Sequence, residues 1–200
     1  MTKHVIIIAS GETERRSLPH LVAHLQADDI SVDEVRIPPG NRALNVEMIE
    51  KLVKATWYAR AASPPDKFVV LLDVDGKDPD DILRPFQEQL PRRLSAKIKA
   101  AVLFAYAQWH LEAWYFADST ALKDYLGRAL GHIDTSKPDE IQNPKLHLRN
   151  LLGNRIYTAV ISEEIARKLN ASTIAQRSPS FCDFLKKIGN GNGAPGNQAE

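Results

Sequence analysis

Acidic side chains in this sequence gather where apolar runs end. Val5-Ile6-Ile7-Ile8-Ala9 leads into Ser10-Gly11-Glu12-Thr13-Glu14, and Phe68-Val69-Val70-Leu71-Leu72 leads into Asp73-Val74-Asp75-Gly76. A third run, Ala101-Val102-Leu103-Phe104-Ala105, is followed by Glu112-Ala113-Trp114. Carboxylates brought together in this way suit a hard divalent cation such as Mg²⁺, which takes one or two of them and completes its shell with water and phosphate oxygens. The chemistry implied is phosphate chemistry. Asp73 and Asp75 are two apart, so both project from one face if strand geometry persists through them. Gly76 permits a sharp turn and a close approach of backbone to phosphate. The alternative is a polar strand end followed by an N-cap, both ordinary uses of Asp and Gly. Two carboxylates directly behind a buried strand repel unless a cation or solvent relieves them, which favours the metal. Glu112 is a further ligand, a residue orienting the metal's water, or a first-turn glutamate favoured by the helix dipole. His20 and His24 have the spacing of a helical metal pair but lack the metalloprotease glutamate, and a solvated helix face accounts for them.

Such groups meet only if the strand ends share one edge, and the order of elements predicts this. A strand at His4–Ala9 leads into a helix from Glu12 to Gln26 with Leu18, Leu21, Val22 and Leu25 as its apolar stripe. Val32–Ile37 reads as a second strand closed by Pro38-Pro39-Gly40, and Val46–Ala62 as a helix ended by Ser63-Pro64-Pro65. Phe68–Leu72 shows no polar alternation, so it reads as a central strand buried on both faces. Asp78-Pro79 has the form of an N-cap with proline at the first helical position, starting a helix towards Leu90. Lys99–Ala105 supplies a fourth strand. This alternation predicts an α/β fold with a mainly parallel, doubly wound four-stranded sheet, whose ligand site lies beyond the carboxyl ends of its strands. Helical segments follow near Leu111–Leu126, Lys145–Leu152, Ser162–Leu169 and Pro179–Ile188. The organisation expected is an α/β core over 1–118, a helical part over 119–188 packed on it, and a disordered glycine-rich tail over 189–200.

Composition narrows the setting. No run approaches the roughly 18 apolar residues of a membrane span, and the first residues lack a signal peptide's apolar region, so a cytoplasmic protein is expected. The single cysteine, Cys182, excludes an internal disulfide and speaks against a structural cysteine-based zinc site. It is expected to be a small buried residue beside Phe181 and Phe184. The formal net charge is +1, but residues 1–83 carry ten Lys/Arg against fourteen Asp/Glu, and residues 84–200 carry sixteen against eleven. An acidic half beside a basic half suits a polyanion held against a metal centre, and two ordinary solvated surfaces explain the same numbers.

The ordered set Gly11-x-x-Glu14, Asp73-x-Asp75-Gly76 and Glu112-Ala113-Trp114, with Asn143-Pro144-Lys145 and Ser178-Pro179-Ser180-Phe181 downstream, resembles the bacterial family called domain of unknown function 4276. That family is Toprim-like. The Toprim fold is the metal-binding α/β domain of topoisomerases, primases and overcoming-lysogenization-defect nucleases. The resemblance covers about residues 3–188. It implies a Mg²⁺- or Mn²⁺-dependent nuclease-like role on DNA or RNA, often beside an ATPase partner in phage-defence or mobile-element loci. Asp73, Asp75, Glu112 and Glu14 would be the metal and catalytic residues. The chain departs from the family at Ser10, where the first motif has glutamate immediately before the glycine. A serine hydroxyl is shorter and neutral, and does not relay protons near neutral pH as a carboxylate does. Either Glu12 or Glu14 takes over, the site works with one carboxylate fewer, or the domain is a degenerate module that binds nucleic acid or an ATPase without cleaving.

Cations near these motifs could hold phosphates. Arg15 and Arg16 fall in the first turn of the first helix, Lys77 follows the aspartate pair, and Arg177 precedes the Ser-Pro-Ser-Phe motif. Lys145 is the preferred candidate for stabilising charge on a cleaved phosphate, with a solvated surface lysine as the alternative. Ser178 and Ser180 are expected to cap a helix and support packing rather than to act as nucleophiles. The basic helical part could also serve as an interface between copies of the chain.

Overall fold

A computed structural model describes residues 2–40 and 42–189. Four strands, β1 (Lys3–Ile8), β2 (Ile30–Arg36), β3 (Lys67–Asp73) and β4 (Val102–Ala107), form one parallel sheet in the order β2-β1-β3-β4. Helices α1 (Glu12–Val22), α2 (Val46–Ala59), α3 (Pro79–Gln89) and the short α4 (Ala96–Ala100) connect them. Six more follow: α5 (Leu111–Ala117), α6 (Ser119–Leu126), α7 (Pro144–Leu152), α8 (Ala159–Ala166), α9 (Ala171–Arg177) and α10 (Pro179–Ile188). The chain winds from β1 outward to β2, then returns to place β3 on the other side of β1. The order reverses between β1 and β3, the place where open parallel sheets open a crevice for ligands.

Period-two alternation explains why the strands read as uninterrupted apolar runs. Val5, Ile7, Val69, Leu71 and Ala105 face one layer, with Leu18 and Leu21 of α1, Trp114 of α5 and Phe181, Phe184 and Ile188 of α10. Ile6, Ile8, Phe68, Val70 and Leu72 face the other, against Ile49 and Val53 of α2, Leu83 of α3 and Ile98 of α4. The doubly wound sheet predicted from the sequence is present. The late helices are not an appendage, because α10 lies in the same core as the sheet. Trp114 stacks on Phe184 with ring centroids 5.4 Å apart and donates its indole N–H to Ser180 Oγ at 2.8 Å. That N–H is satisfied in the core, as a buried tryptophan requires.

Several boundaries differ from expectation for physical reasons. α1 stops at Val22 and tightens into a 3-10 segment over Ala23–Asp28, three residues after Pro19, which cannot donate to the helix ladder. The helix expected over Leu111–Leu126 is broken at Asp118, whose carboxylate caps α6 by accepting from Ala121 N and also accepts from Asn170 N. The start expected for β4 is taken by α4, and α9 was not anticipated. Cys182 is half-buried rather than buried. Gly189 closes α10, donating to Leu185 O at 2.8 Å, and positions 190–200 of the expected disordered tail lie outside the described residues. Among the described residues no helix is long and apolar enough to cross a membrane.

Candidate active site

The carboxyl ends of β1, β3 and β4 bring the first, second and third acidic motifs to the crevice. Glu14 lies in the first turn of α1 and is buried. Asp73 is the last residue of β3, in register with Ala107 of β4. Glu112 lies in the first turn of α5 and is 2% exposed. Its Oε1 accepts from Tyr157 Oη at 2.7 Å and lies 3.9 Å from Lys145 Nζ.

Strand geometry does not carry through to Asp75, so the expectation of two side chains on one strand face is corrected. Asp75 has φ 51° and Gly76 φ 74°, a turn tied to the end of β4 by Val74 N→Ala107 O at 3.1 Å and Gly76 N→Gln108 O at 2.7 Å. Gln108 Nε2 completes the tie by donating to Lys77 O at 3.0 Å. The turn leaves Asp75 exposed, with Oδ1 3.3 Å from His110 Nε2. Gly76 is required here because a Cβ would stand 2.4 Å from the Trp109 ring.

Electrostatics mark the cluster. Burial raises the Asp73 carboxyl well above its ordinary value, and repulsion from Glu14, Glu112 and Asp75 raises it further, with Lys145 opposing. Burial likewise raises Glu14. Its own backbone hydrogen bond, Lys145 and Ser10 partly offset this, while Glu112 adds to it. Desolvation and like charge both disfavour ionisation of a carboxylate, so the acidic groups gathered here outweigh the opposing charge of Lys145. Lys145 is the cation that reaches them, from the start of α7, where Asn143 at φ 49° precedes Pro144. Its ammonium also stands 6.0 Å from the Tyr157 ring centroid.

The other basic candidates are placed differently. Arg15 pairs with Glu12 at 2.7 Å, and Arg16 pairs with Glu12 at 2.9 Å and Glu163 at 3.1 Å. Arg15 still lines a cavity of about 610 Å³, together with Ser10, Gly11, Glu12, Pro38 and Arg42, although Glu14, Asp73, Asp75 and Glu112 do not line it. Lys77 is exposed in the Asp75–Gly76 turn. Arg177 is committed to packing, donating to Ala117 O at 3.0 Å at the end of α5 opposite Glu112. A second cavity of about 570 Å³, between the 130–142 segment and α7, shares no residue with the acids.

Ser178 caps α10 by accepting from Phe181 N, and Ser180 receives the Trp114 indole. Both hydroxyls donate to Asp139, at 2.7 and 3.0 Å. Sequence reasoning missed Asp139, His110 and Tyr157. His110 had a local signal, two residues before Glu112. Tyr157 had none, being 45 residues from its partner.

The donor chemistry fits a hard divalent cation, since every candidate ligand is a carboxylate and their surplus charge is what such a cation neutralises. Among the described residues, however, no three His, Cys, Asp or Glu side chains already surround one metal position. Tyr157 and Lys145 engage Glu112, the left-handed turn leaves Asp75 exposed beside His110, and Ser10 supplies no carboxylate.

The family model described as Domain of unknown function (DUF4276) matches residues 10–189. Among solved structures, the chain is similar to the C-terminal region of the Burkholderia pseudomallei OLD protein, at 16% identity and a TM-score of 0.52, covering 96% of this chain and 99% of that one. It is also similar to the C-terminal region of the Xanthomonas campestris pv. campestris OLD protein, at 16% identity and a TM-score of 0.52, covering 92% and 93%. At that identity the likeness is one of fold. No protein of curated function matches the sequence.

Proposed function

The chain belongs to the family called domain of unknown function 4276, and from that premise we propose that it is a Toprim-like, divalent-metal-dependent nuclease acting on DNA or RNA. The observation that carries this reading is the raised Asp73 carboxyl, with Glu14, Glu112 and Asp75 all repelling it at one crevice. Residues that gain nothing from standing together in a folded protein gain a cation by doing so. Asp73, Asp75, Glu112 and Glu14 would hold Mg²⁺ or Mn²⁺, which when bound activates water and neutralises charge developing on the phosphate.

The side chains have separable tasks. Asp73 and Glu14, held protonated more readily than ordinary carboxyls, give up their protons to bind the cation. Lys145 is aimed at the same place and would meet a phosphate oxygen once a cation screens it from Glu112. Arg15, Arg16 and Lys77 would contact flanking phosphates, Arg15 from the cavity beside Ser10. Arg177, engaged with Ala117, is withdrawn from that role. The α/β core of 1–118 would supply the catalytic edge, and 119–188 would supply Lys145. The setting we infer is cytoplasmic, in a phage-defence or mobile-element system with an ATPase partner.

A second reading rests on Ser10 and on the engagement of Glu112 by Tyr157 and Lys145: a catalytically degenerate module that binds nucleic acid or an ATPase. Plasmid DNA, single-stranded DNA and tRNA incubated with Mn²⁺ separate the two. The nuclease reading expects cleavage that Asp73→Ala abolishes and Ser10→Glu enhances at least tenfold. If Ser10→Glu gains nothing and Asp73→Ala loses nothing, that reading fails, and nucleic-acid binding unchanged in Asp73→Ala then supports the module.

A further inference from the structure

Glu112 is almost fully buried, and a buried carboxylate without hydrogen bonds is costly. Tyr157, just before α8, donates to its Oε1 at 2.7 Å. The phenol O–H is the donor and the carboxylate oxygen the acceptor. Behind Tyr157 lies a set of buried hydroxyls joining three helices. Tyr115 Oη of α5 is 2.6 Å from Ser162 Oγ of α8, which is 2.9 Å from Ser17 Oγ of α1. Outside, Glu163 fastens α8 to α1 through Arg16 and His20. Tyr157 itself lies in the irregular 153–158 segment, two residues before α8, and these contacts fix the start of that helix against α1 and α5. Carboxylates that ligate metals are themselves held by hydrogen bonds, and losing such a partner weakens metal affinity about 10–100-fold.

We propose that Tyr157 is the positioning residue of Glu112: its hydroxyl takes one carboxylate oxygen and fixes the rotamer, leaving the other oxygen for a divalent cation shared with Asp73. This rests on the metal-dependent reading above. It assigns the 153–158 segment a role in the metal site, although no residue of that segment is itself a ligand. Tyr157 is tied to Lys145 through Glu112 and through the ring, so the same tyrosine sets the spacing between the metal ligand and the phosphate-directed cation.

The test is calorimetric titration of MnCl₂ into the metal-free full chain, for wild type, Tyr157→Phe and a variant with 4-aminophenylalanine at position 157, with the melting temperature of each measured in EDTA. Tyr157→Phe keeps the ring and removes the donor, and should weaken Mn²⁺ affinity about 10–100-fold. 4-Aminophenylalanine puts an N–H donor where the hydroxyl stood, and should recover affinity to within about threefold of wild type. Wild-type affinity in Tyr157→Phe, or equal losses in both variants, overturns the assignment while leaving the metal centre standing. If Tyr157→Phe does not fold, Tyr157→His, whose ring is too short to reach Glu112, takes its place with the same expected loss. No Mn²⁺ binding by the wild type overturns the metal reading itself, and this inference with it.

Discussion

Replacing Gly76 by alanine should separate two costs that the structure combines at the aspartate turn. Gly76 has φ +74°, and its added Cβ would lie 2.4, 2.6 and 2.9 Å from three atoms of the Trp109 ring. Carbon atoms in favourable contact stand about 3.5–4.0 Å apart, so the indole must withdraw by about 1 Å. Gly127, at φ +65° with nothing within 4 Å, meets only the backbone strain. That strain is about 1–2 kcal/mol for an L-residue in left-handed backbone, reduced by the lower entropy of the unfolded alanine chain. Gly127→Ala should therefore cost about 1 kcal/mol. Gly76→Ala adds an overpacking cost of about 1–3 kcal/mol, for a total of roughly 2–4 kcal/mol. For a chain of this length each kcal/mol lowers the melting temperature by about 2–4 °C. Thermal unfolding should thus fall by about 2–4 °C for Gly127→Ala and about 5–15 °C for Gly76→Ala, the latter with altered tryptophan emission. Equal shifts for the two variants would refute the packing of Gly76 against Trp109, and with it the account of how Asp75 is placed.

Three other outcomes are expected. The Asp73 carboxyl is raised above its ordinary value near 3.8, so the native chain holds this proton more tightly than the unfolded one; the resulting stability is complete below the unfolded value and is lost as pH rises through the folded one. Without metal, Asp73→Asn should gain stability over wild type as pH rises from 4 to 8, by about 1.4 kcal/mol per unit of displacement, and urea titrations showing a gap that widens towards pH 4 would contradict this. Asp139→Ala strands donors from Ser178, Ser180 and the Ser180 backbone, and should destabilise by about 2–4 kcal/mol in the same assay. Lys145→Met should lower Mn²⁺-dependent cleavage roughly 10²-fold with melting nearly unchanged, since the side chain is 39% exposed.

What could be read from the sequence follows the range of the interactions involved. β1 and β3 were legible because strands buried on both faces leave uninterrupted apolar runs. α3 and α10 were legible because Asp78-Pro79 and Ser178-Pro179 carry local start signals. The break at Asp118 was not, because a cap shared with Asn170 is a tertiary decision. In the site, the order of acidic residues along the chain was readable, while their orientation was not. Asp75 is placed by a left-handed turn, and Glu112 is held by a tyrosine 45 residues away in the segment before α8. Arg177 looked like a free cation because its partner is a backbone carbonyl, which no residue type announces.

The central claim is that carboxylates from three strand ends share a divalent cation. Crystals equilibrated with Mn²⁺ and measured for anomalous scattering test it most directly. The account predicts a peak bounded by Asp73, Glu112 and at least one of Glu14 and Asp75, absent in Asp73→Ala. Saturating Mn²⁺ with no peak in that crevice, while the four side chains remain ordered, would contradict it.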